Sequence, residues 1–182
     1  MAHVGALRPV NRFITMHNDE GKAIFSTAVP DESKMNPLPD NLGFALSYAT
    51  QGFPVDTAGD ADIENYKKYL ASPPGLSTSG GTILRHVDFV PGEMHAMHRT
   101  VSLDYGVVLE GEIECVLDSG ETRHLKRGDV CVQRGTMHAW RNPSPTEWCR
   151  MLFVLQPCKP IEVAGKVLKE ELGTAVGIRG SD

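Results

Sequence analysis

Gly92-Glu-Met-His-Ala-Met-His98-Arg-Thr100-Val-Ser-Leu-Asp104-Tyr-Gly-Val-Val-Leu-Glu-Gly111 and Gly128-Asp-Val-Cys-Val-Gln-Arg134-Gly135-Thr-Met-His138-Ala-Trp140-Arg-Asn142 are two histidine-bearing stretches of one chain. Their spacings are Gly-x5-His-x-Thr-x3-Asp-x6-Gly and Gly-x6-Gly-x2-His-x3-Asn. Successive side chains of a strand point to opposite faces, so residues two apart share a face. His98 and Thr100 therefore go together while Arg99 points away, and His138 goes with Trp140. Asp104, four residues past Thr100, sits at a strand entrance from which a short carboxylate reaches the same space.

Outward from these motifs the pattern is one of short strands and tight turns. β-Rich segments run over Thr82–Val90, Met94–Thr100, Tyr105–Leu117, Thr122–Lys126, Val130–Arg134, His138–Arg141 and Trp148–Leu155. Pro91-Gly92, Ser119-Gly120 and Arg127-Gly128-Asp129 separate them, and Gly111 marks a bend or bulge where the lack of a side chain is useful. Such spacing indicates a barrel or sandwich. Further out, Arg12–His17 and Lys22–Ser26 flank a turn at Asn18-Asp-Glu-Gly21, which predicts a hairpin. A strand is expected over Gly43–Ala49. Helical spacing of Ile63, Tyr66, Tyr69 and Leu70 behind an acidic start predicts a helix over Asp60–Leu70, ended by Pro73-Pro74-Gly75. Pro160–Leu172 reads as a hairpin or a short helix. Residues 1–80 lack a core's worth of apolar side chains, so they form an extension packed on a barrel of residues 81–160, with a C-terminal extension over 161–182.

The two motifs resemble those of the cupin family, G-x5-H-x-H-x3,4-E-x6-G and G-x5-P-x-G-x2-H-x3-N. His98 and His138 stand in the family positions; Thr100 replaces the second His, Asp104 the Glu and Arg134 the Pro. The runs Gln133–Asn142, His98–Gly106 and Arg12–Asn18 resemble single-domain cupins of bacteria and fungi, some from fungal polyketide pathways. The resemblance implies an all-β fold, a double-stranded β-helix or jelly-roll barrel, with the extension adding strands and a short helix. It also implies a metal site, a polyketide-like or aromatic substrate, and a homodimer formed through the N-terminal extension.

The candidate catalytic residues are His98, Asp104 and His138, which are also the candidate metal ligands. Two imidazoles and a carboxylate suit a divalent ion such as Fe, Mn, Zn or Ni. Without metal, the same groups in an apolar cavity can shuttle protons. The leading expectation is a lyase or isomerase that dehydrates, decarboxylates or enolises a carbonyl compound. A non-heme iron dioxygenase and a non-catalytic small-molecule binder are the alternatives. Thr100, Arg134, Trp140, Tyr105 and Met137 are candidate substrate-binding residues. Arg134 leads Arg85 and Arg99 as a carboxylate partner because it precedes the Gly135 turn. Met97 and Phe153 read as core. His95 reads as an exposed loop residue near the mouth, His86 as structural, His17 and His124 as surface, and His3 as part of a mobile terminus.

Composition narrows the partners. The chain has 182 residues, 41% hydrophobic and 23% charged, with a net charge of −5. One domain with a real core fits that length. An acidic balance argues against nucleic acid or an anionic membrane as partner. No apolar run approaches the ~20 residues of a membrane span, and the N-terminus lacks a secretory h-region. Cys115, Cys131, Cys149 and Cys158 form no C-x-x-C pair and read as reduced thiols of a cytoplasmic protein. No base stands near Cys115 or Cys131 to activate a thiol. Neither a Gly-rich phosphate loop nor Gly-x-Ser-x-Gly occurs, so no nucleotide cofactor is expected.

Overall fold

The computed structural model describes residues 7–39, 41–174 and 179–181; His3 lies outside them. Strands β1 (Val10–Asn11), β2 (Thr15–His17), β3 (Ala23–Phe25), β4 (Glu32–Ser33), β5 (Asn36–Pro37) and β6 (Gly43–Ala49) precede helix α1 (Ala61–Ala71). β7 (Ile83–Phe89), β8 (Ser102–Glu110), β9 (Glu112–Leu117) and β10 (Thr122–Lys126) follow. After them come β11 (Val130–Arg134), β12 (His138–Arg141), β13 (Cys149–Pro157), β14 (Ile161–Val163) and β15 (Lys166–Leu168). A six-stranded antiparallel sheet runs β11-β8-β13-β7-β6-β5, and a three-stranded sheet runs β10-β9-β12. This is the expected jelly-roll arrangement, with the apolar residues Ile83, Val87, Phe89, Ile113, Trp140 and Met151 in one core cluster.

Gly111 lets the chain cross between the sheets. It joins β8 of the larger sheet to β9 of the smaller at φ +73, and a Cβ there would lie 2.7 Å from the Trp148 carbonyl oxygen. A left-handed backbone pressed against a neighbouring main chain admits only glycine. Gly106, inside β8, sits opposite Phe153 of β13, whose ring would be 2.8 Å from an added Cβ. The missing side chain gives that ring its place in the barrel interior.

The first hairpin forms as β2–β3, with Asn18 Oδ1 accepting from the Lys22 N–H at 2.9 Å. α1 buries Ile63 and Tyr66, and the Tyr66 hydroxyl donates to the Leu46 carbonyl at 2.8 Å. Leu70, expected with them, is exposed where the helix ends. β6 pairs directly with β7, so residues 43–49 belong to the barrel sheet although they precede residue 81. The ambiguous C-terminal segment is the hairpin β14–β15, turning through Ala164 and Gly165 at positive φ.

Met94–Thr100, expected as a strand, makes only isolated bridges. Met94 and His98 meet β12, and Arg99 meets Glu171. Glu93, His95 and His98 all bond to the β12 segment, but the pairing slips by one residue between Met94–Arg141 and His98–His138 and passes to Glu171 at Arg99, so no ladder accumulates.

Candidate active site

The antiparallel bridge between His98 and His138 sets the geometry. Each backbone N–H donates to the other's carbonyl, at 2.8 and 2.9 Å. Directly opposed residues project their side chains to the same face, and the two ring centroids stand 4.4 Å apart. His98 Nδ1 lies 2.9 Å from the Ala96 carbonyl, and His138 Nδ1 lies 2.9 Å from that of Thr136. A carbonyl accepts only from a protonated nitrogen, which assigns the proton to Nδ1 and leaves the Nε2 lone pair open. Burial, and secondarily His98, lowers His138 to about 4. Burial likewise lowers His98, against the opposing pull of the Ala96 carbonyl. Both rings are therefore neutral at neutral pH.

Asp104 enters from β8, where Ser102, Asp104, Gly106 and Val108 alternate inward. Burial raises its carboxyl to about 6, with hydrogen bonds from Ser102 and Thr100 pulling the other way. Thr100 Oγ1 donates to Asp104 Oδ2 at 3.4 Å, and Ser102 Oγ donates to Thr100 Oγ1 at 2.6 Å. Asp104 Oδ1 is buried with no hydrogen-bond partner among the described residues. An unpartnered buried oxygen costs about 1–3 kcal/mol, so its retention at a cavity wall singles out the residue.

The donor set tests the expected metal site. Two neutral imidazoles with open Nε2 atoms are suitable ligands. Among the described residues, however, no three His, Cys, Asp or Glu side chains are grouped closely enough to share an ion. Asp104 Oδ2 accepts from the Thr100 hydroxyl, while its Oδ1 has no partner among the described residues. The three-residue ligand set of His98, Asp104 and His138 is not assembled, and no step below passes through a metal.

A slender cavity holds these groups, with an empty volume of about 680 Å³ measured out through its open mouth. His98, Thr100, Asp104, His138 and Trp140 all line it. Arg134, Tyr105 and Met137 do not, which corrects their placement against the substrate. On β11 the buried side chain is Gln133, so parity turns Arg134 outward to solvent. Asp104 facing inward likewise turns Tyr105 outward, 40% exposed. Met137 precedes the inward His138 and takes the other face. Their neighbours' parity carried the signal that these three positions face away.

Two residues ranked low by sequence belong to the cavity. His95 is buried, not an exposed loop residue, because its backbone N–H is held by the Trp140 carbonyl at 2.9 Å and its ring packs on Phe89. Arg85 shares the inward face of β7 with Val87 and Phe89. Phe153, read as core, is both buried and part of the cavity wall. His86 is structural, with Nδ1 2.6 Å from the Ser47 hydroxyl, while His17 and His124 are exposed. Cys115 and Cys131 both receive hydrogen bonds from the Gln133 amide, at 3.1 and 3.5 Å.

Comparison with known proteins gives the family of this fold. The cupin domain family matches residues 85–155, and the chain belongs to the cupins. It is similar to phomopsin biosynthesis cluster protein C' of Diaporthe leptostromiformis, with 54% identity over 89% of this chain and 86% of that protein. Oryzines biosynthesis cluster protein J of Aspergillus oryzae is 43% identical over 90% of this chain and 92% of its own. A cupin-domain-containing oxidoreductase of Aspergillus ruber is 41% identical over 94% of this chain and 84% of its own. No helix among the described residues is long and apolar enough to cross a membrane.

Proposed function

We propose that this cupin is a small-molecule enzyme of lyase or isomerase type, moving protons on a carbonyl compound bound beside His98, Asp104 and His138. The observation that carries this reading is the pair of neutral imidazoles with open Nε2 atoms, sharing one apolar cavity with a carboxyl held near pH 6. His138 Nε2 accepts the proton from the carbon next to the carbonyl. His98, 4.4 Å away between ring centroids, disfavours a second positive charge, so the pair takes one proton at a time. Asp104 supplies the balancing proton to the developing enolate oxygen, or to a leaving hydroxyl, from its acid form. The aromatic wall of Trp140 and Phe153 suits a flat aromatic or polyketide-like substrate. The cluster names carried by relatives support a substrate from secondary metabolism.

The test is deuterium uptake from D2O into a panel of β-dicarbonyl compounds and hydroxyaryl ketones, followed by NMR. His138→Ala is expected to slow exchange by about 10²–10⁴-fold, the usual contribution of a general base. Full exchange in that variant, with its fold intact by circular dichroism, would remove the central assignment.

Oxidoreductase chemistry is the second reading, supported by the Aspergillus ruber relative and by three others of that description at 34–41% identity. Oxygen consumption dependent on ferrous iron favours it; turnover undiminished by chelator favours proton transfer. The proposal also includes a homodimer through the extension. Phe13 and Phe25 stand 63% and 68% exposed on the first hairpin, edge to face at 6.2 Å, and offer apolar surface to a second copy. Sedimentation velocity is expected to give a dimer that Phe25→Asp dissociates; a monomeric wild type would end that part of the proposal.

A further inference from the structure

Arg85 is 6% exposed and points into the cavity from the middle of β7. Its guanidinium donates one hydrogen bond, from Nη2 to the Gly75 carbonyl at 3.0 Å, and lies over the Phe44 ring at 4.9 Å. Nε and Nη1 donate to no described residue, and no described carboxylate forms an ion pair with it. The contrast lies one sheet position away. Arg150, equally buried, is held by Asp88 through two hydrogen bonds of 2.6 Å, with Nη1 bonded to the Arg8 carbonyl at 2.7 Å. That arrangement is how this fold satisfies a buried arginine whose role is structural.

A buried cation without a counter-charge is destabilising unless something offsets it. Burial pushes Arg85 down to about 10, which still leaves it charged at neutral pH. The other polar groups around the cavity do not neutralise it. His98 and His138 are neutral, and the Asp104 carboxylate, although ionised at neutral pH, forms no ion pair with Arg85, whose shift comes from burial alone. Planar, forked donors facing an apolar cavity are the arrangement that takes a carboxylate. We infer that Arg85 is the anion anchor of the cavity, and that the substrate carries a carboxylate seated on its free guanidinium edge. The carbon skeleton then lies along Phe89, Trp140 and Phe153 toward the imidazole pair. This inference rests on the reading of the cavity as a substrate site and names the class of substrate that enters it.

The experiment is calorimetric binding of matched pairs to the full chain: acetate with acetamide, benzoate with benzamide, cinnamate with cinnamamide. The carboxylate of at least one pair is expected to bind about ten- to hundred-fold more tightly than its amide, the range of a charge-assisted hydrogen bond. Arg85→Gln should abolish that preference and Arg85→Lys should keep part of it. The wild-type comparison stands even if Arg85→Gln fails to fold. His138→Ala should retain the preference, because it removes proton transfer and leaves the anchor. Equal binding of acid and amide throughout, or an unchanged preference in folded Arg85→Gln, would overturn the anchor. Deuterium exchange surviving in His138→Ala would instead overturn the proton-transfer reading and leave the anchor standing.

Discussion

Burial moves Asp104 and His138 in opposite directions, and the consequence is a measurable pH dependence. The Asp104 carboxyl rises from 3.8 to about 6, so its stabilising contribution is complete below about pH 4 and is lost as pH rises through about 6. His138 falls from 6.5 to about 4, so its contribution is present above about pH 6.5 and is lost as pH falls toward 4. Each amounts to roughly 3 kcal/mol at 1.36 kcal/mol per pH unit, and the two oppose each other between pH 4 and 6.5. Asp104→Asn removes only the first. Urea midpoints at pH 4.5 and 7 should therefore show Asp104→Asn gaining on wild type toward pH 7, with a steeper loss on acidification. Parallel pH profiles for the two proteins would mean that Asp104 is not the buried carboxyl described. At this scale the sequence was legible through parity: Thr100 and Trp140 share the cavity with His98 and His138 as expected. Arg134 lies outside the cavity despite its position beside a turn, because its strand neighbour Gln133 takes the inward face.

Between elements, the β7–β13 pairing is fixed from outside the barrel by Asp88 and Arg150. The two residues are opposed in register, and their side chains are 0% and 4% exposed. Breaking such a buried pair strands a charge, at a cost of about 3–5 kcal/mol. Asp88→Asn is expected to lower the denaturation free energy by that order. Replacing both residues by apolar ones of similar volume should recover most of the loss. Equal stability of Asp88→Asn and wild type in guanidinium titration would show the pair to be energetically neutral. Strands were the most legible elements, and Gly43–Ala49, Thr122–Lys126, Val130–Arg134 and His138–Arg141 have the expected boundaries. Each alternates or turns over a short range that sequence records. Met94–Thr100 did not, because its bridges reach β12 and Glu171, contacts made between distant parts of the chain.

Over the whole molecule, segments from both the N-terminal and the C-terminal parts of the described chain pack back onto the barrel, and this was the least legible feature because it depends wholly on non-local contacts. The Arg8 carbonyl caps Arg150 at 2.7 Å. Ser181 Oγ accepts at 2.8 Å from the hydroxyl of Ser77, which lies two residues past the Gly75 whose carbonyl holds Arg85, and donates to Glu170 at 2.6 Å. Glu171 exchanges backbone hydrogen bonds with Arg99 at 2.7 and 2.9 Å, and Arg99 Nε donates to the Lys169 carbonyl at 2.8 Å. His98 is therefore held on one side by the His138 bridge and on the next residue by the C-terminal segment. Removing residues 169–182 takes away that second support and the Ser77 contact, while the barrel ladders of β7, β8 and β13 remain. Geometry at the imidazole pair should suffer more than the core, since misplacement by ~1 Å costs on the order of 10²-fold in rate. The truncated protein is expected to keep its cooperative unfolding transition and to lose about 10²-fold in deuterium exchange. If exchange were unchanged, the C-terminal segment would have no part in holding His98. If cooperative unfolding were lost, it would belong to the barrel's own core.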